Sequence, residues 1–136
     1  MDVTVNYLAI FAASVAAMII GGLWYSPLLF GNLWVKSSGL SAEKLTELKT
    51  RGMARRYIAN YAAAFVTAFV HAHFAEIRGV ADLGDAVGLA FWTWLGFIAT
   101  TLLGAALWEG KTLAGYGINI AYHLVSLSVM ALILTL

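Results

Sequence analysis

The chain contains no cysteine, which excludes disulfides, thiolate zinc sites, iron–sulfur ligation and a cysteine nucleophile together. Charge is scarce too: 11% of the 136 residues are charged, against roughly 25% in a typical soluble protein. A net charge of +1 and the lack of a broad basic surface leave no electrostatic footprint for nucleic acid, so that class of partner is set aside. Proline occurs once, at Pro27, and long helices are free to run elsewhere.

What is abundant is apolar, 62% of the chain. The charged residues fall in clusters and leave four charge-free runs, at residues 3–35, 57–75, 86–108 and 112–136. A bilayer core about 30 Å thick takes roughly 20 helical residues, and each run meets or nearly meets that length. The expectation is an all-α polytopic membrane protein: a four-transmembrane-helix bundle with a short interfacial amphipathic helix. It forms a single membrane domain over residues 1–136, with spans at about 5–25, 57–75, 86–108 and 117–135. Pro27 and Gly31 close the first span near residue 25. The second run is the shortest, and Arg55 and Arg56 snorkel at its start. A cleaved leader needs a positive leading segment and a shorter apolar core, whereas Asp2 precedes a full-length span here, so the first helix reads as retained.

Six of the eight basic residues (Lys36, Lys44, Lys49, Arg51, Arg55 and Arg56) lie between the first two spans, and Lys111 lies between the last two. The positive-inside rule therefore predicts a cytoplasmic loop over residues 26–56, with both termini outside. Within that loop Ser41 is placed to cap a short helix carrying Leu45 and Leu48 on one side. Lying on the bilayer, it offers Lys49, Arg51, Arg55 and Arg56 to anionic lipid headgroups.

Lipid tails supply no hydrophobic drive for helix association, so close packing needs small residues at four-residue spacing. Ala13, Ala17 and Gly21; Ala64, Ala68 and Ala72; Gly96, Thr100 and Gly104; and Gly117 with Ala121 provide them. The pattern serves a compact bundle or a homo-oligomer equally.

Polar side chains at membrane depth are costly and mark candidate sites. On the last span Asn119, Tyr122, His123 and Ser126 recur at helical spacing on one face; on the second, Asn60, Thr67 and His71 do the same. Two uses are open. The stripes can satisfy one another in a packed hydrogen-bonded network, or they can line a path for a proton, ion or small polar molecule with His123 as the titrating member. His71 and His73, two residues apart, point to opposite helix faces, so no metal site is read from them. A haem between His123 and His71 needs matching depths, which the topology does not give them. No nucleophile with a base, no carboxylate pair at depth and no phosphate-binding glycine loop is present, so neither a catalytic residue nor a cofactor is assigned.

The segment Gly21-Gly22-Leu23-Trp24-Tyr25-Ser26-Pro27-Leu28-Leu29-Phe30-Gly31-Asn32-Leu33-Trp34 resembles the signature of an uncharacterised bacterial membrane family, domain of unknown function 1761. Trp94-Leu95-Gly96-Phe97-Ile98-Ala99-Thr100 and the stretch from Asn119 through Tyr122-His123-Leu124-Val125 are similar to it as well. The resemblance implies a four-helix protein of the bacterial cytoplasmic membrane and brings no activity with it. Read physically, Trp24, Tyr25, Pro27, Phe30 and Trp34 suit an aromatic anchor at the membrane surface or one wall of a ligand site, and Trp94 with Phe97 offers a second wall. Two functions follow as expectations: a small homo-oligomeric transporter or channel component, or a non-catalytic protein that binds a lipid or apolar ligand or joins a larger membrane complex.

Overall fold

The computed structural model describes residues 3–136, so the expectation resting on Met1 and Asp2 lies outside the described residues. Six helices and no strand are found among them. They are α1 (Tyr7–Trp24), α2 (Gly31–Ser37), α3 (Ala42–Thr50), α4 (Met53–Arg78), α5 (Leu83–Trp108) and α6 (Leu113–Thr135). Four of these, α1, α4, α5 and α6, are long and apolar enough to cross a membrane. The chain is an integral membrane protein of all-helical architecture.

Local chemistry sets the helix ends. Asn6 accepts from the Ala9 amide, Ser41 from Lys44, Asp82 from Asp85 and Thr112 from Gly115, each placing a side-chain oxygen over an amide that no helix turn satisfies. Gly79 ends α4 in the left-handed conformation (φ 75°), which costs glycine nothing. Three helices begin earlier than the expected spans do, α5 among them at Leu83. α4 starts at Met53 and carries Arg55 and Arg56 inside it, while α6 starts at Leu113 under the Thr112 cap.

α6 is the centre of the bundle: α1 and α5 pack along it, and α4 packs mainly on α1. The buried core gathers Ile10, Ala13 and Ala17 of α1, Ala68 and Ala72 of α4, Ala86 and Ala90 of α5, and Leu127, Met130 and Ala131 of α6. These positions lie toward the end of the bundle away from the basic loop. Alanine predominates because helices in lipid gain from close backbone approach and dispersion rather than from hiding apolar area. Of the small residues expected on α1 and α4, Ala13, Ala17, Ala68 and Ala72 are in this contact, with Ala64 at its margin. Those expected on α5 are not: a Cβ at Gly96 or Gly104 would meet nothing within 4 Å.

The reason is a π-helical stretch, Trp94–Ala99, inside α5. Its wider turn adds a residue and shifts the inward face. The inward series runs Ala86, Ala90, Trp94, Ala99, Ala106, a step of five replacing four across the π turn. Carbonyls loosened by such a turn need partners in lipid. Thr100 donates to the Gly96 carbonyl at 2.7 Å, and the Tyr116 hydroxyl of α6 donates to that of Ala99 at 2.7 Å.

The other end of the bundle is held by polar staples. The Trp24 indole N–H donates to the Ile118 carbonyl at 3.0 Å, and the Trp94 indole N–H to that of Ile120 at 2.7 Å. The Tyr25 hydroxyl donates to Asn119 Oδ1 at 2.7 Å, and Thr112 Oγ1 to the Ser37 carbonyl at 2.7 Å. One short segment of α6 is thus gripped from both neighbouring helices.

Candidate functional site

α4 and α5 stand apart on the bundle, and the cleft between them has α6 as its floor. Two cavities adjoin in it. The first, of about 110 Å³, is a recess with polar groups from Asn60 and Thr67 of α4 and Tyr122, His123 and Ser126 of α6. The second, of about 420 Å³, is an apolar trough walled by Val66, Val70 and Phe74 on one side and Phe97 and Ile98 on the other. Thr67, Ile98 and Leu127 line both, so recess and trough form one amphipathic cleft. Its lips, Val66 and Phe97, are 58% and 71% exposed, as befits side chains that face lipid tails.

The polar stripes therefore meet, but as walls of a space rather than as partners. Asn60 donates through Nδ2 to the Met18 sulfur at 3.3 Å, which leaves its carbonyl oxygen uncommitted. Thr67 donates to the Ala63 carbonyl at 3.0 Å and keeps acceptor capacity. The Tyr122 hydroxyl reaches the Ala17 carbonyl at 3.3 Å, an approach that the missing side chain of Gly21 permits. Among the described residues no hydrogen bond joins the side chains of α4 to those of α6.

Ser126 is the most telling member. It is 5% exposed, it lines the recess, and its hydroxyl bonds no other described group. Ser14, Thr67, Thr100 and Thr135 donate to the carbonyl four residues earlier, a common resort of a hydroxyl on a membrane helix that Ser126, like Thr93, Thr101 and Ser128, does not take. His123, midway along α6, packs its ring against Tyr122 with centroids 5.0 Å apart and lines the recess without a hydrogen-bond partner.

The remaining predicted residues are divided. Asn119 stays out of the recess, engaged by Tyr25. His71 lines the apolar trough, 3% exposed, with neither ring nitrogen hydrogen-bonded. His73 donates from Nδ1 to the Phe69 carbonyl at 2.7 Å and lies at a tilt against the Phe69 ring. The Trp24 and Phe30 rings meet at a tilt with centroids 4.6 Å apart, and Tyr25 meets Trp34 and Tyr122 edge-on at 5.9 and 5.5 Å. Tyr25, Pro27 and Trp34 also line a separate trough of about 360 Å³, over which α3 lays Leu45 and Leu48. These leucines are half-buried while Glu43, Lys44, Glu47 and Lys49 around them are exposed, as an amphipathic helix requires.

Sequence reasoning missed Ile98, Leu127 and Met18. The first two are ordinary apolar residues whose role depends on the π turn and on how far α4 stands from α5. Met18 sits on α1 and meets Asn60 only through the tertiary fold.

Across the chain, residues 8–135 match the profile of one protein family, described as Protein of unknown function (DUF1761). No curated protein and no solved structure matches.

Proposed function

The chain belongs to the DUF1761 family, and from that premise we propose that it binds a small lipid-soluble molecule inside the membrane, in the cleft between α4 and α5, without catalysis. The observation that carries this reading is the continuity of a polar recess with an apolar trough whose lips face the bilayer. A ligand arriving laterally from lipid keeps its apolar part in a lipid-like environment and trades its solvation for hydrogen bonds at the inner end.

The basic loop supports a matching orientation. Lys49, Arg51 and Arg55 are exposed and form no ion pair among the described residues, while Arg56 donates to the Leu48 carbonyl at the end of α3. With this loop on the cytoplasmic side of a bacterial inner membrane, those cations meet anionic headgroups and both termini lie outside.

Purification in mild detergent followed by mass spectrometry of bound molecules tests the reading. Thr67 is exposed and lines both cavities, so Thr67→Trp fills their junction. A molecule retained by the wild type and lost from Thr67→Trp supports the cleft as its site. Equal retention by both proteins removes the support.

A second reading rests on a different observation. Asn60 and Thr67 are exposed on the membrane-spanning part of α4, and lipid does not satisfy such groups. A second copy covering them makes a homo-oligomer whose polar recesses line a path for a proton, ion or small solute. Cross-linking from Asn60 together with proton or solute flux into proteoliposomes distinguishes this reading: dimers with flux favour it, and monomers without flux exclude it.

A further inference from the structure

We infer that the recess accepts a small, uncharged, hydroxyl-bearing lipid headgroup, held at Ser126 and His123, while the ligand's chain lies in the apolar trough. This rests on the cleft being a binding site and adds what the cleft selects.

The polar inventory of the recess defines the headgroup. Ser126 brings a hydroxyl able both to donate and to accept, buried and bound to no described group. A neutral imidazole at His123 adds one donor and one acceptor. Asn60 contributes its uncommitted carbonyl oxygen and the amide hydrogen not given to Met18, and Thr67 contributes lone pairs, since its proton is spent on Ala63. Acceptors and donors are thus mixed, which suits a hydroxyl rather than a purely accepting ketone or ester.

Formal charge argues the same way. The Asp, Glu, Lys and Arg residues of α4 stand at its ends, as Arg55 and Arg56 at one and Glu76 and Arg78 at the other; Asp85 opens α5, and α1 and α6 carry no Asp, Glu, Lys or Arg. A carboxylate or phosphate would find no fixed cation in the recess, and an ammonium no fixed anion, so each would be buried at heavy desolvation cost. Size completes the argument. About 110 Å³ is room enough for an alcohol or a glycerol group.

The test uses the full chain in lipid nanodiscs at neutral pH, photolabelled with a long-chain alcohol that carries benzophenone in its tail. Dodecanol, dodecane, dodecanoate and dodecylammonium then compete at equal membrane mole fraction. The expected result is labelling of trough residues around Phe97 and Ile98, with dodecanol displacing the probe roughly three- to tenfold better than the others, as one or two buried hydrogen bonds allow. Ser126→Ala, a small change that keeps the helix, is expected to erase the advantage of dodecanol over dodecane. If the trough is labelled but the four competitors are equivalent and Ser126→Ala changes nothing, the headgroup assignment fails and the cleft reading stands. If no trough residue is labelled, both fail.

Discussion

The Tyr25 hydroxyl donates to Asn119 Oδ1 at 2.7 Å, joining residues 94 positions apart. Tyr25 follows the last turn of α1, and Asn119 sits in the segment of α6 that Trp24 and Trp94 also hold. Tyr25→Phe removes the donor and leaves a half-buried acceptor unpaired, at a cost of roughly 1 to 2 kcal/mol. Thermal unfolding in detergent micelles is expected to show a lower Tm, with helix content unchanged. An unshifted Tm would mean that water or lipid replaces the phenol at no cost.

The two indole staples are expected to act separately. Trp24→Phe and Trp94→Phe keep most of the ring but withdraw an N–H from the Ile118 and Ile120 carbonyls, each for about 1 kcal/mol. Because the acceptors are different main-chain atoms, the double variant should lose about the sum in an SDS-titration unfolding measurement.

Gly31 stands where the chain turns back after Pro27. A Cβ there would lie 2.7 Å from the Ser26 carbonyl carbon and oxygen, which are main-chain atoms unable to swing aside. Gly31→Ala is expected to cost roughly 3 kcal/mol or more, seen as poor yield and early unfolding. Gly22→Ala is the control: its Cβ meets nothing within 4 Å, and by helix propensity it should be neutral or stabilise by about 0.5 kcal/mol.

His71 gives a prediction of opposite sign. Its ring is buried and neither nitrogen has a partner among the described residues, so the native state bears an uncompensated desolvation cost. His71→Phe, similar in shape, is expected to leave Tm unchanged or raise it, by up to about 1 kcal/mol in unfolding free energy. Clear destabilisation would show that the imidazole forms a bond in the membrane that outweighs this cost.

The spans were legible because charge and length control membrane insertion, and both can be read residue by residue. Helix ends were less legible at α4 for a related reason. Arg55 and Arg56 mark where apolar sequence stops, but a helix continues through charge as long as its amides and carbonyls are paired, and α4 does so back to Met53. Ser41 was readable as a cap because the interaction is local. The polar faces of α4 and α6 were readable from periodicity, but periodicity says which side a residue takes and not whether the facing side is in contact. That is why Asn60, Thr67, His123 and Ser126 border a recess where the periodicity also allowed a packed network. Trp24 and Tyr25 looked alike as surface anchors, since an indole N–H directed at a headgroup and one directed at a neighbouring helix have the same sequence. The π turn left no trace in composition, being a matter of hydrogen-bond register alone.

The staples on α6 also say where this architecture tolerates change. Trp24 and Trp94 address peptide carbonyls, which every amino acid supplies, so positions 118 and 120 can change their side chains without releasing the grip. At these two positions identity is demanded of the donors alone, whereas Asn119 between them is held through its own side chain. The half-turn of α6 just beyond, where the recess begins, can then change its polar side chains while the scaffold around it stays assembled.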